Sequence, residues 1–193
     1  MKTLKIGRRK FIQTLSTALL GMAAPAILTT RSAEGKPSPP EVRTLGKTGL
    51  RVTSVGMGVM NCSDPSVLMR AYDLGVNFYD TADCYMGGRN EEMVGKVFHG
   101  KRDQVILQTK VHDGEEKKMR DSVERSLRRL KTDCIDVLLW HNFHRPEEVA
   151  SEKLHEFMVR MKKEGKARFT GFSAHSNMAS LLREASKSDH HVV

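Results

Sequence analysis

The sequence has few cysteines, and their arrangement excludes two classes of protein. The 193 residues include only three, which are Cys62, Cys84 and Cys134. An odd number without CxxC spacing argues against a disulfide framework and against a redox motif. Eight histidines are scattered, and neither His141/His144 nor His190/His191 has a third ligand at a familiar spacing. The sequence therefore predicts buried or incidental thiols and no metal site.

Aromatic residues are also scarce, at 6%, and no block of Lys and Arg is interleaved with them. The formal net charge of +9 nevertheless suggests a polyanionic partner at first sight. Five of the positive charges lie within the first ten residues, which contain no acid. The rest of the chain has 32 − 5 = 27 basic residues against 23 acidic ones, or +4. This is an ordinary surface charge, and no nucleic-acid partner is expected.

Long apolar runs are missing as well, so no stable membrane span is predicted. A mildly apolar segment from about Phe11 to Ala24 follows Arg8-Arg9, and Ala24-Pro25-Ala26 supplies the small residues of a cleavage site. The arginine pair resembles a twin-arginine export signal. Residues 1–26 are thus predicted to be a signal peptide that engages the twin-arginine translocase and directs the protein to the periplasm. The alternative is a basic tail or uncleaved anchor, with a cytoplasmic or membrane-anchored protein.

After a polar, proline-rich linker predicted at residues 27–41, strands and helices alternate. Gly46 and Gly49 indicate a hairpin at 42–52. Five strand-like segments follow, "TSVGMGVM", "VNFYD", "QVILQTKV", "CIDVLLWH" and "ARFTGFS", and "HHVV" has the pattern of a sixth. Asp64 and Pro65 predict the start of the first intervening helix, and Pro146 that of the fourth. The third and fourth helices carry apolar stripes that predict core contacts, namely Met119, Val123, Leu127, Leu130, Leu154, Phe157, Met158 and Met161.

This alternation predicts an α/β fold with a parallel sheet covered by helices. A dinucleotide-binding open sheet should show GxGxxG after its first strand, whereas the chain reads "GMGVMNCSDP" there. A (β/α)8 TIM barrel with an N-terminal hairpin fits better. Such a barrel typically needs about 250 residues. Residues 42–193 have room for about five of the eight units, so an incomplete barrel and a C-terminally truncated chain are expected.

Four chemically capable residues follow the predicted strands, at the end where barrel enzymes have their active sites. They are Asp80 and Tyr85 after the second strand, Lys110 at the end of the third and His141 at the end of the fourth. Each alone has an ordinary structural role, as a turn cap, a packing residue, a solvated charge or a core histidine. Together at adjacent strand ends they indicate an active site.

Several motifs resemble the aldo-keto reductase family. "LGVNFYDTADCYMGGRNEEMVGK" resembles the family signature GxNxxDTAxxYG followed by Glu and Gly, and "SLRRLKTDCIDVLLWH" resembles its second signature. "RTLGKTGLRVTSVGMG", "VILQTKV" and "GKARFTGFS" are similar to its hairpin with first strand, its lysine strand and its fifth strand. The resemblance covers about residues 42–180.

The resemblance implies hydride transfer from NADPH or NADH to a small-molecule aldehyde or ketone. Tyr85 would be the general acid, assisted by the Lys110 ammonium, which favours the phenolate. Asp80 would hold Lys110, and neutral His141 would donate to the carbonyl oxygen. Ser173 and Asp80 would lie against the cofactor. Ala174 replaces the asparagine that usually follows the serine, and His175 and Asn177 are the candidates to compensate for it.

Two other functions remain open at this point. The strands and loops that grip the nucleotide in the family lie beyond the resemblance, which leaves a non-catalytic fragment or scaffold as an alternative. Some branches of the family append a cysteine-rich iron–sulfur segment, and such a segment would lie outside this sequence. The substrate and the choice between NADH and NADPH are not predicted.

Overall fold

The computed structural model describes residues 38–187, which fall within one compact unit. The predicted signal peptide, residues 27–37 of the predicted linker and the "HHVV" segment lie outside the described residues. No helix between residues 38 and 187 has the length and apolar character needed to cross a membrane.

An antiparallel hairpin precedes the main sheet, as predicted. Strand β1 (Val42–Thr44) pairs with β2 (Arg51–Thr53), with Val42 opposite Thr53. Gly46 and Gly49 in the connecting turn both have positive φ, which glycine adopts without a steric penalty.

Five parallel strands form the main sheet, in the order in which they occur along the chain. They are β3 (Met57–Gly58), β4 (Phe78–Asp80), β5 (Ile106–Val111), β6 (Ile135–Trp140) and β7 (Ala167–Phe172). Among the described residues the strand order never reverses, so the sheet has no switch point of the doubly wound kind. The structure is a partial barrel, which confirms the predicted fold class. Strand β3 is shorter than its sequence pattern predicted, with two residues in place of eight.

Between residues 38 and 187, six α-helices lie between or after the strands of the main sheet. They are α1 (Pro65–Asp73), α2 (Arg89–Val97), α3 (Glu116–Leu130), α4 (Pro146–Val149), α5 (Glu152–Lys163) and α6 (Met178–Ala185), with 3-10 turns at Tyr85–Gly88 and Arg102–Gln104. The Asp64 carboxylate accepts a hydrogen bond from the Ser66 amide at 2.8 Å, which confirms the predicted cap of α1. The prediction of one helix from Pro146 was wrong, because α4 ends at Val149 and Ser151 caps a new helix, α5.

The two faces of the sheet have different partners. Leu107, Leu138 and Trp140 lie on the outer face in the main core, together with the predicted stripes of α3 and α5. Val137 and Leu139 lie on the inner face and pack against the hairpin. Because side chains alternate between the two faces of a strand, Lys110 and His141 belong to the inner face, at the carboxyl end of the sheet.

Candidate active site

The structure brings the four predicted catalytic residues together at the carboxyl ends of three strands. Asp80 ends β4, Lys110 lies near the end of β5, and His141 directly follows β6. Tyr85 begins the 3-10 turn after β4. The side chains of Asp80 and Lys110 are in direct contact, as are those of Lys110 and Tyr85.

Lys110 is the centre of this arrangement. Only 6% of the residue is exposed. Its Nζ lies 2.6 Å from Oδ1 and 2.7 Å from Oδ2 of Asp80, and donates to the Thr81 carbonyl at 2.8 Å and to the Tyr85 hydroxyl at 3.3 Å. A buried ammonium needs such partners, because removing a charge from water costs several kcal/mol. These partners therefore hold the Lys110 side chain against the phenol oxygen.

Gln108 is a further member of the site that the sequence interpretation missed. Its Nε2 donates to Asp80 Oδ1 at 2.7 Å, which gives the carboxylate a second donor besides Lys110. Gln108 precedes Lys110 by two residues, so both side chains point to the same face of β5. The two-residue spacing is a signal from which the sequence could have identified it.

A tight turn presents Tyr85 to the site. The next two residues, Met86 and Gly87, have left-handed φ values of 51° and 65°. The Tyr85 ring meets the His141 ring edge-on, with 5.6 Å between centroids, and Lys110 Nζ lies 4.9 Å from the tyrosine centroid. The phenol thus lies between a cation and an imidazole.

His141 lies in a partly buried and electropositive position. Burial, followed by the nearby His112 and Lys110, lowers the pKa of His141 from 6.5 to about 4. Its imidazole is therefore neutral at neutral pH, as the sequence interpretation expected. The His112 ring lies 4.7 Å from the His141 ring, and Cys84 Sγ lies 3.5 Å from His141 Nδ1. Burial, and secondly Asp83, raise the pKa of the Cys84 thiol.

Buried polar residues of α2 support the loop that carries Tyr85. Asn90 donates to the Val59 carbonyl at 2.6 Å and accepts from the Thr81 hydroxyl at 2.7 Å. Glu91 is fully buried, and burial raises the pKa of its carboxyl group. Arg129 Nη1 donates to Glu91 at 3.2 Å and to the Asp83 carbonyl at 3.1 Å, which ties α3 to the same loop.

Ser173, the predicted cofactor contact, lies directly after β7 at the same end of the sheet. Its Oγ accepts from the backbone N–H of Asn142 at 3.0 Å and donates to the Trp140 carbonyl at 3.3 Å. Asn142 Oδ1 is buried and has no hydrogen-bond partner within residues 38–187. Asn177 is engaged elsewhere, because its Nδ2 donates to the His144 carbonyl at 2.9 Å. Asn142 is therefore the amide with a free acceptor beside Ser173.

A cavity of about 710 Å³ lies at the opposite, amino-terminal end of the strands. Arg102 and Arg168 line it, and both form ion pairs with the buried Asp136 at 2.6 Å. Both arginines are held by the same Asp136 carboxylate, which is a structural role, so the candidate site is the tetrad of Asp80, Tyr85, Lys110 and His141 and not this cavity.

Comparison with known proteins gives a consistent result. Residues 62–193 match the model of the aldo/keto reductase family. The chain is 35% identical over 149 residues to the uncharacterized oxidoreductase YqkF of Bacillus subtilis, covering 68% of this chain and 48% of that protein. It is 32% identical over 154 residues to L-galactose dehydrogenase of Arabidopsis thaliana, covering 69% and 48%. The chain thus spans about half the length of these curated relatives.

Solved structures agree with the sequence matches. The crystal structure of an aldo/keto reductase from Klebsiella pneumoniae in complex with NADP and acetate is 30% identical and superposes with a TM-score of 0.64, covering 79% of this chain and 56% of that one. A putative aldo-keto reductase from Pseudomonas aeruginosa, 29% identical, gives a TM-score of 0.71 over 81% of this chain and 68% of its own.

Proposed function

Because the chain belongs to the aldo/keto reductase family, we propose that it reduces an aldehyde or ketone to an alcohol, with NADPH or NADH as the hydride donor. The observation that carries the proposal is the contact of the buried Lys110 Nζ with both the Asp80 carboxylate and the Tyr85 hydroxyl. A phenol next to a fixed ammonium is a proton donor placed for general acid catalysis.

Tyr85 delivers the proton in this proposal. The Lys110 ammonium has only donors, so the phenol oxygen accepts from it and the hydroxyl hydrogen is free to point toward a carbonyl oxygen. As that hydrogen leaves, Lys110 stabilises the phenolate that remains. Asp80 and Gln108 keep the ammonium in place, so no reorganisation is needed at the moment of transfer.

His141 positions the carbonyl. Its neutral imidazole has one N–H donor, and Nδ1 lies beside the Cys84 thiol. An N–H at the ring's other nitrogen would bind the carbonyl oxygen next to the Tyr85 hydroxyl. A neutral donor suits this role, because it polarises the oxygen without competing for the proton.

The described residues fit the nicotinamide end of a cofactor. A bound NADPH would supply the hydride. Asn142 Oδ1, buried and without a partner among residues 38–187, is an acceptor for the carboxamide NH2, and Ser173 lies next to it. Asn142 thus offers an amide where Ala174 has none. Asp80 lies at the same end of the sheet, which is consistent with its predicted contact with the cofactor.

The test is Tyr85→Phe in the full-length protein. General acid catalysis is typically worth about 10²–10⁴ in rate, so kcat should fall at least about 100-fold while the dissociation constant of NADPH changes little. Tyr72→Phe is the matched control. Tyr72 belongs to α1, and its hydroxyl donates to Gln104, which precedes β5 at the end of the strand opposite the tetrad. A Tyr85→Phe enzyme that keeps more than about a tenth of the wild-type kcat would exclude Tyr85 as the acid.

We also propose that the protein reaches the periplasm through the twin-arginine translocase. The support is the Arg8-Arg9 pair ahead of the apolar segment. Replacing the pair with Lys-Lys should stop export in a host that has this system, as followed by cell fractionation and immunoblotting. Arg31→Lys, outside the predicted signal, is the control. Unchanged periplasmic yield from the Lys-Lys variant would assign the protein to another route.

A further inference from the structure

Four possible metal ligands meet beside the tetrad, and the proposed reaction does not require three of them. Asp83 and Cys84 lie in the loop after β4, His112 follows β5, and His141 follows β6. One ligand atom of each lies within 4.8 Å of the others. We name this group the Cys–His cluster. The sequence interpretation predicted no metal site, because these ligands come from three separate loops and have no motif spacing.

The separations are close to those of a tetrahedral zinc site. With Zn–S of about 2.3 Å and Zn–N of about 2.0–2.1 Å, a tetrahedral angle puts sulfur and nitrogen about 3.5 Å apart. Cys84 Sγ and His141 Nδ1 are 3.5 Å apart. The ring centroids of His112 and His141 lie 4.7 Å apart with 36° between the ring planes, so the two imidazoles are direct neighbours. The remaining ligand atoms need to move by about 1 Å or less toward a common centre.

A second observation points to a missing partner. Asp83 Oδ1 is buried and has no hydrogen-bond partner among the described residues. A carboxylate oxygen without a partner is costly to bury, and a cation would satisfy it. Cys84 and His112 are exposed, so an ion has direct access from solvent. The nearby Lys110 charge opposes a cation only weakly, because Asp80 compensates it.

The geometry points to a Zn²⁺ site formed by Asp83, Cys84, His112 and His141. Thiolate, imidazole and carboxylate are all ligands that zinc takes in tetrahedral coordination. Binding releases the thiol proton of Cys84 to the buffer and forms the Zn–S bond. Zinc on Nδ1 of His141 leaves the N–H on the other ring nitrogen, which is the donor that the proposed function directs at the carbonyl oxygen. This consequence for the imidazole rests on the proposed function, whereas zinc binding itself does not.

Cobalt substitution tests the site without reference to activity. Co²⁺ added to the full-length protein should give the visible bands of tetrahedral coordination and a near-ultraviolet thiolate charge-transfer band, and Zn²⁺ should abolish both. Cys84→Ser should lose the charge-transfer band and bind zinc at least about tenfold more weakly in competition with a chromophoric chelator, since loss of even an outer-shell partner costs about 10–100-fold. Cys134→Ser, a half-buried free thiol elsewhere, should change neither result.

A second variant separates the site from any change in folding. His112→Asn should also weaken zinc by at least about tenfold, whereas His99→Asn, at an exposed position after α2, should not. A wild-type cobalt spectrum without a thiolate band, or equal zinc affinity in Cys84→Ser, would overturn the site. Zinc binding without any reductase activity in the wild type would instead count against the proposed function alone.

Discussion

Lys110 carries a positive charge at a position where 6% of the residue reaches solvent. The charge is tolerated because Asp80, the Thr81 carbonyl and the Tyr85 hydroxyl all accept from its ammonium. The same contacts that stabilise the buried charge also direct it at the phenol. At the scale of single residues, one set of hydrogen bonds therefore both compensates the buried charge and positions it for the proposed chemistry.

His141 gives a prediction at this scale. Its pKa of about 4 lies below the ordinary 6.5, because burial and the neighbouring His112 disfavour the imidazolium. Ring-nitrogen NMR shifts of His141, measured on the zinc-free protein and assigned with His141→Asn, should titrate near pH 4. As the pH falls from 6.5 toward 4, His141 binds a proton in the unfolded chain but not in the folded protein. The contribution of His141 to the free energy of unfolding should therefore fall in this window and stay constant above it. A midpoint at 6.5 or higher would contradict the prediction.

At the scale of elements, the contact between α2 and α3 connects the core to the active-site loop. Gly95 of α2 is buried, and a Cβ placed there would lie 2.2 Å from the Arg129 carbonyl oxygen and 2.8 Å from Leu130 Cα. Only glycine permits this approach. Since Arg129 also holds Glu91 and the Asp83 carbonyl, the packing of the two helices determines the position of the loop that carries Tyr85.

Gly95→Ala should therefore destabilise the protein, by about 1–3 kcal/mol, because the backbone of α3 must shift. The sign of the change in the free energy of unfolding tests the close contact with α3, because the same substitution in an exposed helix would stabilise the protein by up to about 1 kcal/mol. Chemical denaturation measures the difference, and kcat should fall with it as Arg129 moves. Lys96→Ala, at the exposed neighbouring position, is the matched control and should have little effect. A Gly95→Ala protein at least as stable as the wild type would show that the helices separate without cost.

The same scale shows how far local patterns are informative. The stripe of α3 is confirmed in full, since Met119, Val123, Leu127 and Leu130 are all buried. The division between α4 and α5 was not predicted, although Ser151 is a strong N-cap residue, because the acidic residues after Pro146 read as the first turn of one continuous helix. Strand β3 was predicted too long, because backbone pairing depends on the length of its neighbour β4, which has three residues.

At the scale of the whole molecule, the five-stranded sheet is curved around an inner face that the hairpin covers at one end. Within the described residues, β3 and β7 each pair with one neighbour only. Unpaired backbone groups of an edge strand favour association with other chains. In a closed barrel those groups are paired, and the inner face is filled from all sides.

Residues 42–193 expressed alone are accordingly expected to lack a cooperative thermal transition and to bind NADPH poorly, because the two edge strands and the inner face have too few partners. Calorimetry, light scattering and nucleotide titration measure the three properties. A monomer with a sharp transition and a dissociation constant for NADPH of about 1 μM, near −8 kcal/mol, would contradict the expectation and make the partial barrel a functional unit.

The sequence by itself determined the alternation of strands and helices, the burial of their apolar stripes and the position of the four tetrad residues at strand ends. These are local properties, because the period of a side-chain pattern and the end of a strand are both readable along the chain. The tertiary structure alone decided which of those ends are neighbours. It placed Gln108 against Asp80, left Asn142 Oδ1 without a partner beside Ser173, and joined Cys84 and His112 to His141. Such contacts depend on the curvature of the sheet and the path of each loop, which residues distant in sequence determine together.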